Sequence, residues 1–184
     1  MTAGIILSGG ASQRMGRTKA LLRDRFGVRF IDRVADAFAP VLEPVVEVGG
    51  GFSRGDAVID RSFGGPARAT WLGISKIFAD RAFDATIVAA CDLPRLSTLE
   101  VEWLASMSGE SSVVPVVAGR ARFDFVLLGR AAIAAMLTEP PDPGAAMSTL
   151  FEPRLTQFID VHLTGRAHAM ADCDTPEEYE ALLR

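Results

Sequence analysis

The chain has 184 residues, 49% of them hydrophobic and 23% charged, and its 19 Lys and Arg against 23 Asp and Glu leave a formal net charge of -4. That length is one domain with room for a substantial core, and the acidic balance excludes a protein that grips nucleic acid through a broad basic face. No apolar run reaches the ~18–20 residues that span a bilayer, and no basic segment followed by a cleavage site opens the chain, so neither a membrane anchor nor a secretory signal is expected.

Taken in order, strand-length apolar runs alternate with segments of helical period. Residues 2–7 read as a buried strand bounded by glycine, and 29–38 place Phe30, Ile31, Val34, Ala35 and Phe38 at helical spacing. Residues 44–48 and 57–59 are short strands, and 66–78 a helix with Pro66 in its first turn. Residues 85–90 form the clearest buried strand. Ser97 then opens a helix to about residue 107, with Glu100 completing a capping box. Strands are expected at 112–117, 122–128 and 155–161, and helices at 131–137 and, briefly, 144–150. A last helix is capped by Thr175, with Glu178 three residues on. Only Pro140-Pro141-Asp142-Pro143-Gly144 is rich in breakers, and it separates two late elements rather than two domains. Strands that are continuously apolar and separated by helices predict an α/β fold: three layers, Rossmann-like, with a mostly parallel sheet and helices on both faces.

In such a sheet ligands sit outside the carboxyl ends of the strands, so the loop after the first strand carries most interest. It reads LSGGASQRMGRTKALL, residues 7–22. Gly9 and Gly10 let backbone N–H groups approach anionic oxygens, and Arg14, Arg17 and Lys19 supply positive charge. Two familiar phosphate loops do not fit. Gly10 and Gly16 are one residue too far apart for a P-loop, and Gly9, Gly10 and Gly16 lack the G-x-G-x-x-G spacing.

A second signal is AACDLPRL, residues 89–96, which puts Asp92 at the carboxyl end of the most apolar strand with Pro94 turning the chain out. Magnesium takes one or two carboxylates together with substrate phosphates, which makes Asp92 the natural metal ligand. Asp60 ends another strand ahead of Gly64-Gly65-Pro66. Near the C-terminus, MADCDTPEEYEALL places Asp172 and Asp174 before the last helix. Asp174 has two readings: a second magnesium carboxylate beside Asp92, or a residue that favours the positive end of the helix dipole. Arg68 similarly reads either as a ligand contact or as a solvated first-turn residue. His162 and His168 show no metal spacing, and Trp71 and Trp103 stand among apolar neighbours as core residues. Cys91 and Cys173, far apart and outside any C-x-x-C, fit a reducing cytoplasm.

The first loop resembles the signature L-A-G-G-x-S-x-R-M-G-x-x-K-x-L-L of nucleotidyltransferases with a nucleotide-diphospho-sugar transferase fold. Within that group it is most similar to the molybdenum cofactor guanylyltransferases, and the resemblance extends over most of the chain as one NTP-transferase domain. It implies transfer of GMP from GTP to the phosphate of a molybdopterin-type cofactor, with release of pyrophosphate and a need for Mg2+. It also implies that the backbone of Leu7, Ser8 and Gly9 meets the base and ribose, that Arg14 and Lys19 hold the triphosphate, and that Asp60 contacts the nucleotide. The segment holding Asp92 resembles the family's C-D-x-P motif, whose aspartate binds magnesium. The closing segment resembles N-x-N-T-P-E, with Asp172 and Asp174 where asparagines are common.

The chain departs from the family pattern where Phe123 and Asp124 replace a polar residue and proline, and where Ala67-Arg68-Ala69 replaces Leu-Ala-Gly. The alternatives are therefore a cytidylyltransferase of the same cofactor, a sugar-phosphate nucleotidyltransferase, or a nucleotide-binding homologue without catalysis. GTP or another NTP and the molybdopterin-type cofactor are the expected partners, without nucleic acid or membrane, for a cytoplasmic monomer or weak homo-oligomer.

Overall fold

The computed structural model describes residues 1–9, 18–62, 64–79, 82–162 and 165–184. Strands β1 (Thr2–Leu7) and β4 (Ala85–Ala90) lie side by side in parallel, in register from Thr2 opposite Ala85 to Leu7 opposite Ala90. Both are continuously apolar because both of their faces are covered. On one side Ile6, Ile87 and Ala89 pack against α1 (Phe30–Phe38) and α3 (Thr98–Ala105). On the other, Ala3, Ile5 and Val88 pack against α2 (Gly65–Ile77) and α4 (Arg130–Thr138). Trp103 and Trp71 sit half-buried against these two cores, as expected of them.

The sheet extends from β1 through β2 (Val45–Gly49) to β3 (Asp56–Ile59), all parallel. Beyond β4 it runs through β7 (Phe125–Gly129) to β5 (Ser112–Val117), which also pairs in parallel with β8 (Thr156–Asp160). The three-layer, mostly parallel architecture is as read from the sequence. Two details differ. The strand expected at 122–128 begins only at Phe125, as β7, and is preceded by the short β6 (Arg120–Ala121), into which a two-residue hairpin at Ala118-Gly119, both with positive φ, returns β5. Moreover, β7 runs antiparallel to both β4 and β5.

The two expected capping boxes also part company. At α5 (Pro176–Leu183) the box is complete: Glu178 N–H donates to Thr175 Oγ1 at 3.2 Å, and Thr175 N–H donates to Glu178 Oε2 at 2.9 Å. At α3 it is absent, because the Ser97 hydroxyl donates to the Glu100 carboxylate instead of accepting a backbone N–H. Glu100 is buried and faces Arg166 at 3.5 Å, which draws it away from the helix end. The short helix expected at 144–150 is a single 3-10 turn, Met147–Leu150. Among the described residues no helix is long and apolar enough to cross a membrane.

The turn into α1 is held by Asp24. Its carboxylate accepts the N–H groups of Phe26 and Val28 at 2.9 and 3.0 Å, and the Arg33 guanidinium at 2.5 Å. Burial works against the charged form, but Arg33 and the two N–H donors outweigh it and hold this carboxyl below its ordinary value. Asp24→Asn should therefore lower stability by about 1.5–3 kcal/mol near neutral pH, the worth of a hydrogen bond to a charged group. The depressed folded value makes that contribution complete above the unfolded carboxyl pKa of about 4 and lost as pH falls through the folded one. Urea titrations of both proteins at pH 7 and pH 3 should show the difference shrinking.

Candidate active site

The carboxyl ends of the parallel strands line up along one edge of the sheet. Leu7 lies opposite both Val48 and Ala90, and Gly49 lies opposite Ile59. The residues just past those ends are Ser8 and Gly9, Gly50, Asp60, and Cys91 with Asp92. Cys91 N–H donates to Leu7 O at 3.0 Å, which fixes where the chain carrying Asp92 leaves the sheet.

Lys19 enters this edge from a single 3-10 turn, Lys19–Leu21. Its ammonium donates to Asp92 Oδ2 at 2.6 Å and also to Asp174 Oδ1. Asp174 is brought there by two backbone attachments. Cys173 N–H donates to Asp92 O at 3.2 Å, and Asp174 N–H donates to the Glu178 carboxylate of the α5 capping box at 2.7 Å. The side chains of Lys19 and Asp92 are only 17% and 15% exposed, so the pair meets in a medium where charges interact strongly.

Burial pushes the Asp92 carboxyl above its ordinary value, and Lys19 offsets only part of that. For Lys19 burial acts downward, but the bonds to Asp174 and Asp92 more than reverse it, and the ammonium is held above the usual lysine range. It is a permanent cation at physiological pH. Cys91 is pushed up by burial, and Cys173 by burial to about 11. Both stay protonated and free of disulfide, which leaves neither as a nucleophile.

Lys19, Asp92 and Asp174 are thus gathered at one point from distant parts of the chain. Asp60 stands apart, at the end of β3, where its carboxylate accepts the N–H and hydroxyl of Ser62 at 2.8 and 2.6 Å. Ser8 and Gly9 follow β1, with the Ser8 side chain buried. Gly10 and Arg14, expected at the phosphates, lie outside the described residues. Arg68 lies over the Trp71 ring at 4.1 Å and reaches Pro141 O at 3.4 Å, so its guanidinium is engaged within the fold. His162 and His168 are exposed.

Two charged groups escaped the reading of the sequence. Arg122 pairs with Asp124 and, at 3.2 Å, with Asp172, so the two closing aspartates part: Asp172 goes to Arg122 and Asp174 to Lys19. A cleft of about 340 Å³, bounded by Pro94, Arg95, Arg122, Asp172 and Cys173, opens at this side of the site. The second is Glu47, 1% exposed within β2. It was visible as the lone charge in an apolar run, a placement that demands buried partners.

Among the described residues no group of three or more His, Cys, Asp or Glu forms a closed metal cage. Asp92 and Asp174 offer two carboxylates converging on one cation position. That donor set suits an ion that completes its shell with substrate oxygens and water, as magnesium does.

The chain belongs to the MobA-like NTP transferase domain family, whose model matches residues 4–156. It is a nucleotidyltransferase-type domain with a nucleotide-diphospho-sugar transferase fold. No curated protein matches the sequence. Among solved structures it is similar to molybdopterin-guanine dinucleotide biosynthesis protein A of Archaeoglobus fulgidus, with a TM-score of 0.72 and 16% identity over 99% of this chain and 96% of that one. A nucleotidyl transferase from Methanothermobacter matches with a TM-score of 0.75 and 15% identity, over 98% and 95% of the two chains. The inositol-1-phosphate CTP transferase of T. maritima gives 0.66 and 11%, over 98% and 94%. At these identities the likeness is one of fold.

The ion pair makes a direct prediction. Lys19→Met removes the cation that partly restrains the Asp92 carboxyl and leaves Asp174 as a like-charged neighbour. The Asp92 pKa should then rise further, seen as a titration of its side-chain carbon at higher pH by 13C NMR in the variant.

Proposed function

We propose that this protein transfers the GMP moiety of GTP to the phosphate of a molybdopterin-type cofactor and releases pyrophosphate, with magnesium required. The observation that carries the reading is the Lys19 ammonium held between Asp92 and Asp174 at the carboxyl ends of the strands. The family match and the similarity to a molybdopterin-guanine dinucleotide biosynthesis protein support it.

The attacking group is a phosphate oxygen that is already anionic, so no side-chain base is needed. The demands are in-line positioning and neutralisation of charge. The backbone of Leu7, Ser8 and Gly9, with Gly10 beyond it, receives the nucleotide, with Asp60 on its outer side. Lys19, always protonated, opposes the charge that passes to pyrophosphate, and Arg14 joins it on the triphosphate. Asp92 and Asp174 would hold magnesium, which supplies further neutralisation of the triphosphate when bound. As the nucleotide enters, the Lys19 ammonium exchanges carboxylate partners for phosphate ones.

A second reading, a cytidylyltransferase acting on the same acceptor, is favoured by aspartate at both 172 and 174. We place the activity in the cytoplasm, in a monomer or weak homo-oligomer.

The test is to incubate the protein with magnesium, the molybdopterin-form cofactor and equal GTP, CTP, ATP and UTP, and to identify the dinucleotide by mass. A guanine dinucleotide is expected, with Asp92→Asn reducing its rate by about a hundredfold or more. A cytosine product would select the second reading. No product from a folded protein that binds NTP would overturn the acceptor or the catalysis.

A further inference from the structure

The buried Glu47 has no part in the chemistry described above, yet it gathers the loops at the strand ends. Its carboxylate accepts the Ser8 hydroxyl and the N–H groups of Phe52 and Ser53, the first of these N–H bonds at 2.8 Å. Ser8 Oγ in turn accepts Gly50 N–H at 3.0 Å, and Ser8 N–H donates to Val48 O at 3.0 Å. The loop after β1 and the loop after β2 are therefore tied through one serine and one glutamate.

They are also in backbone contact. Gly49 has φ +142, and a Cβ there would stand 2.3 Å from Gly9 N and 2.6 Å from Ser8 Oγ. Gly49 O accepts the N–H of Asp60 at 3.1 Å, which carries the linkage on to the end of β3. Beneath the loop, on the α1 side, a cavity of about 560 Å³ is lined by Val45, Glu47, Ser53 and Ala35 among others. Phe52 of this loop packs against the core on the same side, and the hydrogen bonds to Glu47 fix the backbone at Phe52 and Ser53. A buried carboxylate is costly unless its partners compensate, whereas an apolar residue at this strand position would fold without that cost. The benefit lies in fixing the loops.

Resting on the nucleotide site proposed above, we infer that Ser8 and Glu47 are positioning residues which set base selection by holding the Ser8-Gly9 backbone at a fixed height against Gly49, Gly50 and Asp60. Neither side chain touches the base. Their effect passes through the backbone groups that do, because a shift of a few tenths of an ångström between donors and acceptors separates a base that satisfies them from one that leaves them unpaired.

The test measures dissociation constants of GTP, CTP, ATP and UTP with magnesium for the wild type, Ser8→Ala, Glu47→Gln and the double variant, with melting temperatures for each. The wild type should prefer one base, and each single variant should lower that preference by about tenfold, the loss of one well-made hydrogen-bond arrangement. The double variant should be no worse than Glu47→Gln, since both changes undo one linkage. Ile133→Ala, a core change in α4, serves as a control for lost stability and should leave the preference intact. Unchanged preference in folded Ser8→Ala and Glu47→Gln would overturn the inference alone, as would an equal loss in Ile133→Ala or a wild type indifferent to the base. A wild type that binds no NTP would overturn the proposed nucleotide site and this inference with it.

Discussion

A lysine ammonium shared by two aspartates organises the reactive end of this molecule. Lys19 lies 73 residues from Asp92 and 155 from Asp174, and it brings the start, middle and end of the chain to one point. The largely buried Asp92 carboxylate would be costly without a partner, and the two carboxylates repel one another. The cation between them makes the arrangement stable and holds two carboxylate oxygens at one point.

Around that ion pair the backbone does much of the holding. Cys91 is bonded to Leu7 O, Cys173 to Asp92 O, and Asp174 to the α5 capping box. These main-chain bonds fix the backbone from which the carboxylates of Asp92 and Asp174 reach the Lys19 ammonium. The same economy holds at the ends of β1 and β2, where Ser8 and Glu47 turn inward and the glycines bring one loop against the next. A rigid strand edge with side chains committed behind it presents a surface made largely of backbone groups, which suits a ligand whose phosphates and base edges are read by N–H and C=O.

The family match extends over residues 4–156, and one of the departures from the family pattern forms a charged group beside Lys19 and Asp92. Arg122 with Asp124 and Asp172 occupies the region where the family pattern has a polar residue and proline, and an asparagine. The cleft beside it is bounded by charged groups of both signs.

How much was legible depended on whether the cause was local. Strands β1, β4 and β5 have the limits read from the sequence, because burial on both faces writes itself as an unbroken apolar run. The Thr175 cap was equally plain, its partner being three residues away. Asp92 was recognisable as a ligand candidate, since a strand end followed by proline can point in only a few directions. By contrast, nothing near β7 announces that it runs antiparallel; strand direction is settled by the neighbours it joins. Ser97 and Glu100 have the local pattern of a cap, yet Arg166, 66 residues on, redirects the glutamate. The sequence by itself determined the class of fold and the residue types at the strand ends. Only the tertiary structure decided that Asp174 rather than Asp172 joins Lys19 and that Glu47 anchors two loops, because such pairings depend on donors and acceptors far apart in the chain that meet only when the sheet has formed.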